Sequence, residues 1–287
     1  MSSRYANLDM VRCVYFLSVH LGCLLVLWAG WSWTAFWTGF FLYWIRMFAI
    51  TGGFHRYFSH RSFKTSRFFQ FILALLGTSA GQKGPLWWAA HHRVHHQKSD
   101  RFDDVHSPIK SGFFWSHMGW IMSRENFSTK TQEVKDLEAF PELRWLDRHY
   151  VIPPAALATL LTLVGLICQF WVPSLEVTAL QMLAWGFFVS TTVLYHGTFS
   201  INSFGHLWGS RRYNTNDASR NNLALALITM GEGWHNNHHR YPSSERQGFF
   251  WWEIDMTHKI LKTLSYLGIV WDLQSPPKWL LQNRRSQ

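Results

Sequence analysis

Cysteine is scarce in this chain. There are three in 287 residues, Cys13, Cys23 and Cys168, each inside an apolar stretch and none in a Cys-x-x-Cys pair. That excludes a disulfide scaffold, a thiolate zinc ribbon and an iron–sulfur site, and leaves the thiols as packing groups. Charge is scarce as well: only 15% of residues are charged, with 17 Asp and Glu against 27 Lys and Arg. The resulting net charge of +10 is a common footprint of nucleic-acid binding. Here, however, the basic residues stand beside apolar spans. Such placement favours an anionic membrane surface, an anionic head group or an acidic redox partner over nucleic acid. No internal repeat or low-complexity tract appears. The first apolar stretch, 11–31, lacks the small-residue cleavage site of a secretory signal.

What is abundant is aromatic and apolar. Aromatics make up 17% of the chain and Trp alone counts 18, far above ordinary usage. Four apolar segments, about 11–30, 34–54, 151–172 and 177–198, each have the roughly 20 residues that a helix needs to cross a bilayer. They pair as two hairpins. The turns Trp31–Thr34 and Pro173–Glu176 carry no Lys or Arg, whereas Arg4, Arg12, Arg56, Arg61, Lys64, Arg67, Arg148, Arg211 and Arg212 cluster at the opposite ends. The positive-inside rule then predicts a multi-pass integral membrane protein with both termini in the cytosol. The expected fold is all-α: one domain over 1–287, four transmembrane helices and a helical cytosolic cap formed by 55–150 and 199–287. Residues 66–80 are too short for a fifth span, and 248–267 has the look of an amphipathic interfacial helix.

Three histidine boxes dominate the polar segments: His55-Arg-Tyr-Phe-Ser-His60, His92-Arg-Val-His95-His96 and His235-Asn-Asn-His238-His239. Asn202-Ser-Phe-Gly-His206 lies between the last two. Neutral imidazole is the commonest metal ligand. Positions i, i+3 and i+4 share one helix face, so each His-x-x-His-His box is expected to aim three rings at one point. His55 and His60 are five apart, about 140° around an ideal helix, and are expected to serve different metals or straddle a helix end. The tally is nine histidines and one amide, Asn202. Six ligands complete one octahedral ion, so nine imply two. Every box falls at the same predicted membrane face. His20, His117, His149, His196 and His258 read as packing residues. His91 points off the second box's face, and His106 has the setting of a loop residue. Zinc closes with four ligands, often including Cys, whereas non-haem iron accepts imidazole and leaves positions open to oxygen. The paired Glu-x-x-His pattern of soluble di-iron bundles occurs once, at Glu232–His235.

With these spacings, and with the flanks Gly53-Phe-His55-Arg-Tyr-Phe-Ser-His60-Arg-Ser-Phe63, Asn202-Ser-Phe-Gly-His206-Leu-Trp-Gly209 and Gly231-Glu-Gly-Trp-His235-Asn-Asn-His238-His239-Arg-Tyr-Pro242, the chain resembles the membrane fatty acid desaturases of the stearoyl-CoA Δ9 type over about 9–277. The resemblance implies two iron ions, O₂ as co-substrate, and a cis double bond set into a saturated acyl chain carried by CoA or a glycerolipid. By the same resemblance His55, His60, His92, His95, His96, His206, His235, His238 and His239 are iron ligands, and Asn202 reaches iron through a water. It also implies a bent acyl tunnel with Gln82, Trp88 and Thr198 at the bend. Met47 and Tyr43, about 12 and 18 Å below His55 along the second span, are expected to close that tunnel, since a nine-carbon tail is of the order of 11 Å long. No haem-binding segment is fused, so electrons are expected from a separate cytochrome b5-, ferredoxin- or rubredoxin-like donor. The rival on the same scaffold is a di-iron hydroxylase of alkane, fatty acyl or sterol substrates. A metal transporter would instead place its histidines along the spans. Arg46, one residue from Met47, has no role in this reading.

Overall fold

The computed structural model describes residues 7–282, so Arg4 lies outside the described residues. Helix α1 is Met10–Ala29, opened by Asp9, whose carboxylate accepts from the Arg12 amide. Helix α2 starts at Trp33–Phe48, capped by Ser32, and runs on through Ala49–Ser59 in wider π-type turns. The short strand β1 (Lys64–Thr65) follows. Helix α3 is Arg67–Thr78, capped by Ser66. Helix α4, Pro85–Lys98, carries Pro at its first position, where the missing amide costs nothing. Its first turn is also capped from elsewhere: Asp147 Oδ1 accepts from the Trp87 amide at 2.8 Å. A Cβ on Gly84 would stand 2.4 Å from the Asp147 backbone, so only glycine permits this approach.

Helix α5 is Pro141–Arg148 and α6 is Ile152–Trp171. Helix α7 runs over 179–207, opened by a reciprocal Thr178–Gln181 capping box and again passing through π-type turns at Met182–Val189. Leu223–Ile228 (α8), His235–Arg240 (α9) and Met256–Tyr266 (α10) complete the helices used below. Strand β2 (Val270–Trp271) pairs antiparallel with β1. The chain is thus mostly helical, as expected. The largest buried cluster centres on the inner face of α2, where Met47, Ile50, Phe54 and Phe58 meet Leu73, Leu86, Leu143, Leu146 and Leu261.

Of the four expected spans, α1 and α6 are long and apolar enough to cross a membrane by length and composition. Segments 34–54 and 177–198 are largely helical but interrupted by polar groups. Arg46, only 1% exposed, is the largest of these groups. Its guanidinium donates to Ser190 Oγ (2.6 Å), Thr191 Oγ1 (2.8 Å) and the Leu42 and Ser79 carbonyls. It therefore ties α2 to α7 and to the C-terminal end of α3, where carbonyl dipoles favour a cation. This accounts for a residue that the sequence left without a role.

Candidate metal centre

Each box is delivered by its own helix: His55 and His60 by α2, the second box by α4, His206 by α7 and the third box by α9. The nine rings fall into two groups, His55, His60, His92, His96 and His238 in one and His95, His206, His235 and His239 in the other. Within each group the candidate ligand atoms all lie within 4.8 Å of one another.

This sorting corrects one expectation and decides between two alternatives. A His-x-x-His-His box does not aim at one point. Its i and i+4 members stay together, as His92 with His96 and His235 with His239, while the middle histidine turns to the other group. Adjacent helical residues are about 100° apart, so His95 and His96 face neighbouring positions instead of the same one. For His55 and His60 the second alternative holds: they straddle a helix end, His55 lying within α2 and His60 capping it. The π-type turns bring residues five apart into register, closed by the His60 amide on the His55 carbonyl at 3.2 Å. Their ring centres are 4.8 Å apart, and both belong to the group of five.

The donor set fits a pair of metal ions. Nε2 atoms face one another at 3.0 Å for His55–His238, 2.9 Å for His60–His92, 3.0 Å for His96–His238 and 3.0 Å for His206–His235. With metal–nitrogen bonds of about 2.1 Å, neighbouring corners of an octahedron are about 3.0 Å apart. The buried Nε2 atoms of His95 and His239 have no hydrogen-bond partner among the described residues. An unpaired buried nitrogen is costly unless something else uses its lone pair.

Four of the remaining ring nitrogens are held by carboxylates, whereas Nδ1 of His235 and of His238 has no partner among the described residues. His95 Nδ1 lies 3.0 Å from Asp104, His206 Nδ1 lies 2.8 Å from Asp100, His239 Nδ1 lies 2.7 Å from Asp217, and His55 Nδ1 contacts Glu232. A carboxylate on Nδ1 fixes the tautomer that leaves Nε2 free to ligate, and it raises ligand basicity. Sequence reading missed Asp100, Asp104 and Asp217 in this role. Their signal is local: Asp100 and Asp104 directly follow the second box, and Asp217 lies in the loop before α8. Glu232 was visible, but as half of the wrong motif. It is anchored by buried Arg56, which donates to Glu232 at 3.1 Å and to Asp255 at 3.0 Å.

Burial lowers the basicity of His60, His92, His96, His235 and His238 well below the usual imidazole value, with neighbouring rings adding to the effect. Burial also brings His239 down to about 4, against the pull of Asp217. At His95 burial is outweighed by Asp104, and the net shift is upward. Asp104 and Asp217 stay ionised, held below the carboxylate range by His95 and His239 in spite of burial. The site is thus mostly neutral imidazole with anionic props, the state in which lone pairs are available to a cation.

Two cavities meet at this centre. The larger, about 330 Å³, is lined by Arg12, Tyr15, Lys83, Trp120 and Tyr150 at one end and by Gln82, Trp88, His92, Thr198 and Asn202 at the other. The smaller, about 30 Å³, is lined by Met47, Ile50, Thr51, His55 and Ile201, and it shares Trp88, His92, Thr198 and Asn202 with the first. Gln82 Nε2 donates to Thr198 Oγ1 at 3.1 Å across that junction. Gln82, Trp88, Thr198 and Asn202 therefore gather where the two cavities join, and Met47 is among the residues lining the smaller one. Tyr43 differs from expectation. It lines a separate outer groove with Phe40, Trp185 and Val193, and its hydroxyl donates to the Ile228 carbonyl at 2.5 Å. Tyr43 and Met47 still meet, because Gly197 leaves them room: a Cβ there would stand 2.9 Å from Tyr43 Oη and 3.0 Å from Met47 Cε.

The other histidines lie outside the two groups. His20, His196 and His117 form a chain, 3.1 and 2.9 Å apart, that ends on Ser203. His149 and His258 pair with the Trp145 carbonyl and Glu245. His91 bonds the Trp87 carbonyl and faces the larger cavity. His106 packs on His95, its ring centre 4.2 Å away, beside Asp104.

Known proteins resemble this chain along most of its length. The fatty acid desaturase family profile matches residues 14–272. An acyl-CoA C20 Delta5-desaturase of Anemone leveillei is 36% identical over 277 residues, 95% of this chain and 84% of its own length. An sn-1 stearoyl-lipid 9-desaturase of Anabaena variabilis is 35% identical over 280 residues, 96% of this chain and 98% of its own. A palmitoyl-monogalactosyldiacylglycerol delta-7 desaturase of Arabidopsis thaliana is 36% identical over 273 residues, 94% of this chain and 70% of its own. A bundle of helices that gathers nine imidazoles beside two adjoining, mostly apolar cavities fits an oxidoreductase acting on acyl chains. This chain belongs to the fatty acid desaturase family.

Proposed function

We propose that the chain inserts a cis double bond at carbon 9 of a saturated fatty acyl chain, using O₂, two iron ions and electrons from a separate carrier protein. The observation that carries this reading is the junction of the two cavities, because the residues they share include His92 and the smaller one also reaches His55. His55, His60, His92, His96 and His238 would hold one iron. His95, His206, His235 and His239 would hold the other, with Asn202 reaching it through a water. The irons with O₂ supply the oxidising power that a strong, unactivated C–H bond requires and that no side chain possesses. The protein's own part is placement. Gln82, Thr198 and Trp88 fix the turn of the chain, and Met47 stops its methyl end. Mostly apolar walls exclude water from the reacting carbons.

The membrane reading follows the same logic. We infer one domain over 1–287, with 11–30, 34–54, 151–172 and 177–198 crossing the bilayer and both termini and the metal centre on the cytosolic side. Large apolar side chains stand exposed along the outer faces of these segments, among them Leu27, Trp28, Trp37, Phe41, Leu163, Ile167 and Val193. Surface of that kind suits lipid.

The test is expression in a host that lacks unsaturated fatty acids, followed by mass spectrometry of its lipids. Loss of two hydrogens at carbons 9 and 10 is the expected result. Gain of an oxygen would convert the reading to a hydroxylase, and a double bond elsewhere would overturn the position.

A further inference from the structure

The last carbonyls of any helix have no amide partner within it, so the end of α2 needs acceptors served from elsewhere. The chain just beyond serves three of them. The His60, Ser62 and Arg61 amides bond the His55, Arg56 and Tyr57 carbonyls at 3.2, 3.0 and 3.0 Å. The Phe58 and Ser59 carbonyls are left, and Arg93 takes both, from Nη2 at 2.6 Å and from Nε at 3.1 Å. The rest of its guanidinium faces the segment before α5. Nη1 donates to the Glu133 carbonyl at 2.6 Å, and Nη1 with Nη2 meets the two Asp136 carboxylate oxygens at 2.8 and 3.0 Å. Five N–H donors thus find five acceptors, the full capacity of an arginine. Although burial pushes it up, the bonds and charge of Arg93 hold the Asp136 carboxyl below the usual carboxylate range. A cation at this helix end also suits the dipole of α2.

Arg93 belongs to α4, between His92 and the His95–His96 pair. The helix that carries the second box therefore closes the end of the helix that carries the first. His60 comes directly after the two clamped carbonyls, and its Nε2 faces His92 Nε2 at 2.9 Å. The wide turns of α2 run for 11 residues. Such winding is rare beyond a single turn, so a contact outside the helix must favour it. Resting on the two-metal reading of the centre, we propose that Arg93 is a positioning residue: clamped by Asp136, it fixes the wide turn that brings His60 into the group of five. Lysine is no substitute. Its ammonium is a compact charge with three donors and cannot span two successive carbonyls and a carboxylate fork at once.

The experiment uses the full chain in nanodiscs, loaded with iron and then dialysed against a graded chelator. Iron per chain is measured at each step, and Mössbauer spectra distinguish the two ions. His60→Ala and His235→Ala supply reference spectra for damage to one group or the other. Arg93→Lys and Asp136→Asn should each release one iron at about tenfold lower chelator, as loss of a contact behind a ligand does. The spectrum of what is lost should match the His60→Ala reference, and the other iron should stay. Hydrogen exchange at the His60, Arg61 and Ser62 amides should quicken in both variants, while the amides of α6 keep their protection. Arg61→Gln is the control. Arg61 pairs with the same carboxylate at 2.7 Å from the solvent side, its side chain 62% exposed, and its removal should leave both irons in place. Joint loss of both irons, or loss of protection across the whole chain, would mark general loosening and overturn the proposal. Retention of both irons at wild-type affinity in Arg93→Lys and Asp136→Asn overturns it as well. Wild-type protein that never holds two irons removes the two-metal reading itself, and the proposal with it.

Discussion

Truncating Met47 should lengthen the acyl chain that the enzyme accepts. Met47 is 1% exposed and lines the smaller cavity, which measures about 30 Å³. Met47→Ala removes three heavy atoms from the closed end, room for about two methylenes, since each carbon advances a chain by a little over 1 Å. Burying two more methylenes is worth about 1.6 kcal/mol, a shift of roughly tenfold in preference. The same change should lower stability by about 2–5 kcal/mol, so turnover is compared at a temperature where the variant stays folded. Stearoyl and icosanoyl substrates compete in one reaction, and chromatography with mass spectrometry reads the product ratio. A tenfold rise in the icosanoyl share is expected. Tyr43→Ala alone should move the ratio less, because Tyr43 backs Met47 from the outer groove. An unchanged ratio for Met47→Ala in a folded, active enzyme would show that the tail ends elsewhere and sink the tunnel assignment.

Other perturbations probe the props around the centre. Asp217→Asn should cut iron affinity about 10- to 100-fold, measured as metal content after dialysis against a graded chelator, because His239 loses its anionic anchor. Retention of both irons at wild-type affinity would refute that role. Gln82→Leu breaks the bond to Thr198 across the junction and should scatter the double bond over neighbouring carbons, read by fragment mass spectrometry. A single unshifted position would show that the bend is set without it. Arg56→Met strands Glu232 and Asp255 in the interior and should destabilise the fold by about 3–5 kcal/mol. A melting temperature within a degree of wild type would contradict the buried ion network.

Much of the centre was legible because ligand identity survives any error in geometry. The nine imidazoles gather as their number and spacing implied, and mostly helical structure followed from the apolar runs. What failed was the partition between the two groups. It depends on a winding that no propensity encodes: Thr51-Gly52-Gly53 weakens the ordinary α-ladder, yet only packing against α3 and α4 selects the wider turn. The carboxylate props were hidden because Asp is common in loops and nothing local distinguishes Asp217 from a solvated one. Arg46 was opaque for the opposite reason. Its partners Ser190 and Thr191 lie over 140 positions away and are hydroxyls, so charge pairing gave no hint.

The widened turns of Ala49–Ser59 make this stretch a ruler in which length outranks identity. Dropping one residue ahead of His55 would let the helix relax to its standard pitch and swing His60 about 140° from His55, although every ligand would still be encoded. Evolution along this helix is therefore free to trade side chains but barred from insertions and deletions, and a designer borrowing the motif must copy its frame before its letters.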